Sequence, residues 1–252
     1  MFSKSLLLTF ALLVINLTMA PLAKAGDFTA SNSQLLLVTT PNWTSVSGSL
    51  RRFVRGTSDS PWRQVGAEMP IVVGRNGLGW GQGLHPTNHF SGPIKKEGDG
   101  KSPAGVFSLP SAFGLEPHTS LEFIKLPYQQ LLSPIECVDD TNSIYYNQIV
   151  SRDGVKKVDW NSSEKMREIG QQYRLGVFVN HNSSPREFGG GSCIFLHIWK
   201  AAGTGTSGCT AMTSENMEVL LRWLDPAQKP ILVQLPESEY QKLKGPWHLP
   251  NR

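Results

Sequence analysis

Short apolar runs separated by turn-forming residues dominate the chain after residue 25. Leu35–Val38, Leu50–Val54 and Ile71–Val73 are apolar or alternating runs bounded by Ser, Gly and Pro clusters, a pattern that predicts β-strands. Cys193–Trp199 and Ile231–Leu235 predict two further strands. No repeat or linker divides this pattern. The fold class it indicates is mainly β with a few helices (α+β), in a single domain.

Two segments have helical periodicity instead. The first predicted helix runs from a serine cap at position 162 or 163 to about Tyr173. The second begins near Thr213 and is stopped by Pro226, which cannot continue a helix. The apolar positions that define the second helix are Met217, Leu220, Leu221 and Leu224, at i, i+3, i+4 and i+7.

The first twenty-five residues have the order of a secretory signal peptide. Lys4 precedes an almost unbroken apolar run over Leu6–Leu17, and small residues at Ala23 and Ala25 precede Gly26. The apolar run is shorter than the roughly 20 residues that a membrane-spanning helix needs. We therefore expect residues 1–25 to be removed, and the mature chain, residues 26–252, to work without a membrane span in an oxidising compartment.

Composition narrows the function classes. Of the 252 residues only 17% are charged, and the 24 glycines and 17 prolines follow no collagen period. The formal charge is +4, and loss of Lys4 and Lys24 with the leader lowers it to about +2. A nearly neutral chain lacks the concentrated basic face of a nucleic-acid-binding protein, so we expect no nucleic-acid partner.

The residues with most chemical potential lie between positions 189 and 212. Cys209 follows Ser207 and Gly208, directly before the second predicted helix, where a helix N-terminus and backbone N–H groups would favour its thiolate. Gly208 would let a substrate carbonyl approach the main chain, so the N–H groups of Gly208 and Cys209 are candidates for an oxyanion hole. His197, on the neighbouring strand, is a candidate base for the thiol proton.

The spacing of these residues leaves alternatives open. Cys209 is equally consistent with a buried structural cysteine, and His197 with a histidine satisfied inside the sheet. A zinc site of Cys209, His197 and His181 is a further alternative, although no CxxC or HxxxH pair supports it. We predict neither a metal nor a cofactor.

Several segments in the same order resemble the L,D-transpeptidase (YkuD-type) catalytic domain. His197 followed by Ser207-Gly208-Cys209 resembles the family's catalytic motif, and residues 97–107, EGDGKSPAGVF, resemble its GDGKTPxGxF stretch. Residues 137–140 with 145–147, and 181–182, match one branch of the family. The resemblance covers about residues 72–235 and implies a β-sandwich catalytic domain.

The resemblance implies a reaction on peptidoglycan stem peptides in the periplasm or cell envelope. Cys209 would attack the carbonyl between the third residue of a tetrapeptide stem and its terminal D-alanine, and His197 would accept the thiol proton. Attack by an amine on the thioester would give a 3→3 crosslink, and attack by water would make the enzyme an L,D-carboxypeptidase. A wall-binding module without catalysis is the alternative outside the enzyme class. We expect a monomer.

Two departures from the family pattern stand out. Ser207 occupies a position where many members have histidine, and the loop between His197 and Cys209 is shorter than in the commonest members. Beyond the motif, the predicted substrate-binding residues are Ser207, His181, Asp139 and Arg75. Two of these have open alternatives: Asp139 or Asp140 could simply cap a turn, and His181 could be a satisfied histidine at a strand end or could orient His197.

The motif assigns Cys209 as the free thiol of an exported protein with three cysteines. Cys137 and Cys193 are then the remaining pair. We predict a disulfide between them, provided that their Cα atoms lie within about 7 Å.

Overall fold

The computed structural model describes residues 31–86 and 91–252. The predicted signal peptide, residues 1–25, and the first residues of the predicted mature chain lie outside the described residues, so export stays a prediction. Within the part of the chain that is described, no helix has the length and apolar character needed to cross a membrane.

Eleven strands of the described chain form one large mixed sheet. The strands are β1 (Gln34–Thr40), β2 (Ser47–Val54), β3 (Arg63–Val72), β4 (Leu78–Trp80), β5 (Ser102–Ser108), β6 (Ala112–Gly114), β7 (Tyr128–Gln130), β11 (Leu175–Phe178), β12 (Phe195–Ile198), β13 (Thr210–Met212) and β14 (Ile231–Pro236). Their order across the sheet is β4-β5-β14-β1-β2-β3-β13-β12-β11-β6-β7.

A smaller sheet has the order β10-β8-β9. Its strands are β8 (Ile135–Val138), β9 (Ile149–Ser151) and β10 (Ser163–Lys165). Cys137 of β8 forms a disulfide with Cys193, just before β12, with the two Cα atoms 5.9 Å apart. This bond therefore ties the small sheet to the large one, between the two residues that the sequence predicted to pair.

The centre of the large sheet is the most apolar part of the molecule. Every residue of β1 is buried, because β1 lies between β14, its parallel neighbour, and β2, its antiparallel neighbour. Helix α1 (Ser214–Trp223) buries Met217, Leu220 and Leu221. The Thr213 hydroxyl caps it by accepting the Asn216 N–H, so the start of the second predicted helix is confirmed.

The first predicted helix is wrong in its type and its start. Residues 163–165 form β10, and only Met166–Tyr173 is helical, as a 3₁₀ helix broken at Gly170 by a φ of 71°. The helical periodicity of this segment rests on Met166, Ile169 and Tyr173, at i, i+3 and i+7. In the structure Met166 and Tyr173 are buried, whereas Ile169 is 39% exposed. Short 3₁₀ helices also lie at His118–Ser120, Arg152–Gly154 and Pro226–Gln228, and α2 spans Glu237–Leu243.

Apolar side chains form two buried clusters. The larger surrounds β1 and α1, and the smaller packs beneath the disulfide. The smaller cluster consists of Phe113, Leu131, Ile135, Cys137, Met166, Tyr173, Cys193, Phe195 and Cys209. A mainly β fold with few helices is confirmed, whereas the sandwich arrangement stays a prediction.

Replacing both Cys137 and Cys193 with alanine is expected to lower the free energy of unfolding by about 4 kcal/mol, because the disulfide closes a long loop in the unfolded chain. The two cysteines are 56 residues apart in sequence. Urea denaturation followed by tryptophan fluorescence measures the change. Reductant should shift the wild-type midpoint and leave the double variant unaffected; equal stability of the double variant and the oxidised wild type would contradict the prediction.

Candidate active site

Cys209 and His197 are held on neighbouring parallel strands. Strand β12 pairs with β13 so that Leu196 faces Thr210 and His197 faces Ala211. Cys209 directly precedes the first paired residue of β13, at the level where β12 begins. The sheet register therefore places the predicted base two residues along β12 from Phe195, whose N–H contacts the sulfur of the predicted nucleophile.

The Cys209 thiol is enclosed by the backbone that leads into β12. The Phe195 N–H donates to Cys209 Sγ at 3.3 Å, and Sγ–H donates to the Cys193 carbonyl at 3.5 Å. Burial raises the pKa of the Cys209 thiol well above its usual range, and the Glu164 carboxylate adds to the shift. The resting nucleophile is therefore a neutral thiol.

The expected helix N-terminus at Cys209 is absent. Strand β13 (Thr210–Met212) lies between Cys209 and α1, which begins only at Ser214. The effect of a helix dipole falls off within the first turn, so α1 does not favour the thiolate as predicted.

His197 is buried and held in one tautomer. Its Nδ1 lies 2.8 Å from the Ile198 carbonyl, so Nδ1 carries the proton and Nε2 is free to accept one. Burial lowers the pKa of His197 to about 4, although the Ile198 carbonyl acts in the opposite direction. The imidazole is therefore neutral at pH 7, and thiol and imidazole do not form a resting ion pair.

Tyr173 and Glu164, which the sequence analysis did not single out, complete the pocket. The Tyr173 ring packs edge-on against His197, with centroids 5.3 Å apart. Its hydroxyl donates to Glu164 Oε2 at 2.6 Å, and Tyr173 belongs to the same buried cluster as Cys209. No local sequence signal marks these two residues, because β10 and the 3₁₀ helix meet Cys209 only in the folded chain.

Of the two predicted oxyanion-hole donors, the Gly208 N–H already has an acceptor in this structure. The Gly208 N–H donates to Thr206 Oγ1 at 3.1 Å, and the Thr206 hydroxyl in turn donates to the Cys209 carbonyl at 2.5 Å. Ser102 Oγ donates to the same carbonyl at 2.8 Å. The Gly208 donor is therefore engaged in this structure, and an oxyanion would have to replace Thr206 as its acceptor.

Residues 97–107, which resemble the family's GDGKTPxGxF stretch, pack against the loop that contains Gly208 and Cys209. Asp99 accepts hydrogen bonds from Lys95 Nζ at 2.7 Å and from the N–H groups of Lys96 and Lys101. A Cβ at Gly208 would lie 3.2 Å from the Lys101 carbonyl oxygen. This close approach explains why a glycine precedes the cysteine.

Comparison with known proteins agrees with this geometry. The model of the YkuD family, the L,D-transpeptidase catalytic domain, matches residues 61–233, more than half of the chain. The chain belongs to this family. No curated protein and no solved structure matches it.

Two of the predicted substrate residues of this L,D-transpeptidase domain lie beside the cysteine loop. Arg75 Nη1 donates to Ser207 Oγ at 3.3 Å. The Arg75 N–H also donates to the Thr206 carbonyl at 2.8 Å. The turn after β3 is thereby joined to the residues that precede the nucleophile.

His181 is buried, and its ring nitrogens lie close to backbone groups, as in the alternative of a satisfied histidine that the sequence left open. It is 1% exposed, with Nδ1 3.2 Å from Gln82 backbone atoms and Nε2 3.1 Å from the Gly190 carbonyl. Its ring nitrogens therefore face backbone groups rather than His197.

Asp139 and Asp140 have different surroundings. Asp140 accepts the N–H groups of Asn142 and Asn161, so it caps a turn. Asp139 Oδ1 is buried and has no hydrogen-bond partner in the structure. An unsatisfied buried carboxylate oxygen is unusual in a folded protein, which makes Asp139 the better candidate for a substrate ammonium group.

The zinc alternative finds no support among residues 31–86 and 91–252, where no three His, Cys, Asp or Glu side chains come together as metal ligands. A surface cavity of about 1000 Å³ is lined by residues such as Trp62, Lys242 and His248, and Cys209 does not line it.

An Asp99→Asn variant is expected to be less stable by about 3 kcal/mol, because it leaves a buried ammonium without its counter-charge. The side chain of Lys95 is 3% exposed and that of Asp99 is 17% exposed. Urea denaturation measures the loss. Asp59→Asn, at an exposed aspartate, is the matched control and should be neutral within about 0.5 kcal/mol. Equal stabilities of the two variants would contradict the buried pair.

Proposed function

We propose that the chain is an exported peptidoglycan L,D-transpeptidase with residues 1–25 as signal peptide and residues 26–252 as a single catalytic domain. Membership of the YkuD family and the Cys137–Cys193 disulfide support a site of action in the cell envelope. The proposed substrate is a tetrapeptide stem ending in D-alanine.

The observation that supports the proposal is the register of β12 and β13, which sets His197 two residues along the strand from Phe195, the residue whose N–H contacts the Cys209 sulfur. His197 is neutral and presents Nε2 as an acceptor, while the thiol is neutral and needs a base. The thiolate would attack the carbonyl before D-alanine, and D-alanine would leave as its amine after taking up the proton. A thioester on Cys209 remains, which the amine of a second stem attacks.

Asp139 is the proposed anchor for an ammonium group of the stem. Its buried, unpartnered Oδ1 gains a partner only when a donor enters the pocket. A carboxylate and an ammonium in a partly desolvated site form a charge-assisted hydrogen bond. Arg75 and Ser207, which contact each other beside the nucleophile, are the proposed contacts for the stem's carboxylate or carbonyl groups.

Incubation with purified disaccharide-tetrapeptide, followed by mass spectrometry, tests the reaction. Wild type should form a dimer that lacks one D-alanine, with a transient acyl-enzyme on Cys209. Cys209→Ala should abolish both products, and His197→Gln should lower the rate by roughly 100-fold or more, the usual contribution of a general base. His248→Gln, at an exposed histidine, is the matched control and should react as wild type does.

The products also separate the alternatives. Free tripeptide stem without dimer would indicate an L,D-carboxypeptidase. Absence of turnover and of acyl-enzyme, with retained binding to wall sacculi, would contradict both enzymatic functions and indicate a binding module.

Asp139→Asn is expected to raise KM for the tetrapeptide by roughly 10-fold and to leave kcat within about 3-fold, because a hydrogen bond to a charged group is lost on binding. Steady-state kinetics measure both constants. The same variant should not change KM for a stem in which the third residue is diaminopimelate with its side-chain amine acetylated. An equal effect on both stems would contradict ammonium recognition.

A further inference from the structure

A polar cavity of about 370 Å³ lies where the end of β11 meets the residues that lead into β9. It is lined by Phe178 and three residues of the loop after it, by residues 147–149 and by residues 110–111. None of the predicted site residues lines this cavity, so it is separate from the site of the proposed reaction. Its volume lies in the range of cavities that hold small ligands, roughly 300 to 1,000 Å³.

Arg186 is the one charged residue that lines this cavity in the described chain. Its Nη1 donates to the Ile144 carbonyl at 3.0 Å, whereas its Nε is buried and has no hydrogen-bond partner among the described residues. The ion pairs of residues 31–86 and 91–252 do not include it. A buried polar nitrogen without a partner is unusual in a folded protein, and here it belongs to a side chain that lines a cavity.

The edge of the guanidinium that remains has the geometry of a carboxylate site. In arginine, Nε and Nη2 direct parallel N–H bonds from one edge, and the backbone contact of Arg186 is made by the third nitrogen, Nη1. Two parallel N–H donors match the two oxygens of a carboxylate in a bidentate, charge-assisted pair. The cavity therefore offers an anchor for a carboxylate group.

Other polar side chains of the lining can accept hydrogen bonds from the rest of such a ligand. Gln148 Nε2 donates to the same Ile144 carbonyl that Arg186 contacts, at 3.2 Å, so the Gln148 amide oxygen is left as an acceptor. Ser183 Oγ donates its proton to Asn180 Oδ1 and can itself accept. Both acceptors suit the N–H of an amide.

The lining also excludes one kind of carboxylate ligand. Among the described residues that line the cavity none is acidic, so the ammonium group of a free amino acid would lose water without gaining a counter-charge. An N-acylated amino acid has a neutral nitrogen and avoids this cost. Pro110, Ile149 and Phe178 form the apolar part of the lining, which suits a small apolar side chain.

We propose that this cavity binds the carboxyl end of a peptide, with the terminal carboxylate on Nε and Nη2 of Arg186. N-acetylalanine is a minimal ligand of this class. In the cell envelope, peptidoglycan stems would supply such an end in the D configuration, and ordinary peptides would supply it in the L configuration. The binding does not require the reaction proposed for Cys209.

The cavity shares two side chains with the surroundings of the nucleophile. Asn147 Oδ1 accepts the N–H of Cys193, the residue whose carbonyl accepts the Cys209 thiol. The Phe178 ring lies 5.9 Å from the ring of Phe195, whose N–H contacts the Cys209 sulfur. A peptide end in the cavity would thus lie against residues that hold both backbone contacts of the sulfur.

Titration of the purified protein with N-acetyl-D-alanine and N-acetyl-L-alanine, followed by saturation-transfer NMR, tests the site without turnover. At least one enantiomer should bind, and its carboxamide should bind at least about 10-fold more weakly, because a hydrogen-bonded charge is lost. A preference for the D enantiomer would identify stems as the source of the ligand, and a preference for the L enantiomer would identify ordinary peptides; both results support the site. Absence of binding, or equal binding of acid and carboxamide, would overturn the proposal.

Arg186→Gln should weaken binding by roughly 10-fold or more. Arg186→Lys keeps the charge but loses the paired donors, and should also bind more weakly than wild type. Arg63→Gln, at an exposed arginine of β3, is the matched control and should bind as wild type does. Urea midpoints equal to that of wild type would show that the variants are folded.

Cys209→Ala should retain full affinity for N-acetylalanine, since the cavity does not include Cys209. Loss of binding in this variant, or wild-type affinity in both Arg186 variants, would place the ligand elsewhere and overturn the inference. Failure of the tetrapeptide stem to react, with the expected N-acetylalanine affinities, would overturn only the proposed function.

Discussion

The Cys137–Cys193 disulfide joins the two sheets at the point where the reactive thiol is buried. Without that bond, β8 and its partner β10 would be held near β12 by the smaller apolar cluster and by hydrogen bonds such as that from the Cys193 N–H to Asn147 Oδ1. The bond fixes the Cys193 carbonyl against Cys209 on one side and fixes Glu164, opposite Cys137, on the other. The surroundings of the nucleophile thus depend on a covalent link of the kind that persists in oxidising compartments.

Burial imposes a second constraint, which concerns where protons rest. A thiol, an imidazole and a phenol packed together lose most of their hydration, so each is kept in its neutral form. The Cys209 sulfur meets two backbone groups, the Phe195 N–H and the Cys193 carbonyl, and neither of them can take up its proton. The proposed reaction therefore needs a separate base, which is the role proposed for His197.

Local sequence patterns predicted β1 from its apolar run and α1 from its Thr213 cap and periodicity. The Cys137–Cys193 disulfide, although its cysteines are 56 residues apart, was predicted because the motif left only these two cysteines to pair. The helix predicted before Tyr173 failed because pairing with β8 draws residues 163–165 into a strand. Glu164 and Tyr173 were missed for the same reason, since their relation to Cys209 arises only when β10 pairs with β8.

The departure at Ser207 acquires a physical meaning in this setting. The family pattern described for the sequence has a histidine at this position, but here the side chain is a small hydroxyl that accepts a hydrogen bond from Arg75. Arginine keeps its charge at every accessible pH, so this contact supplies a fixed donor and no group that exchanges protons. The proposed substrate contacts at Ser207 and Arg75 therefore do not compete with the proposed base, His197, for a proton. Proton transfer and substrate recognition would then fall to different residues around Cys209.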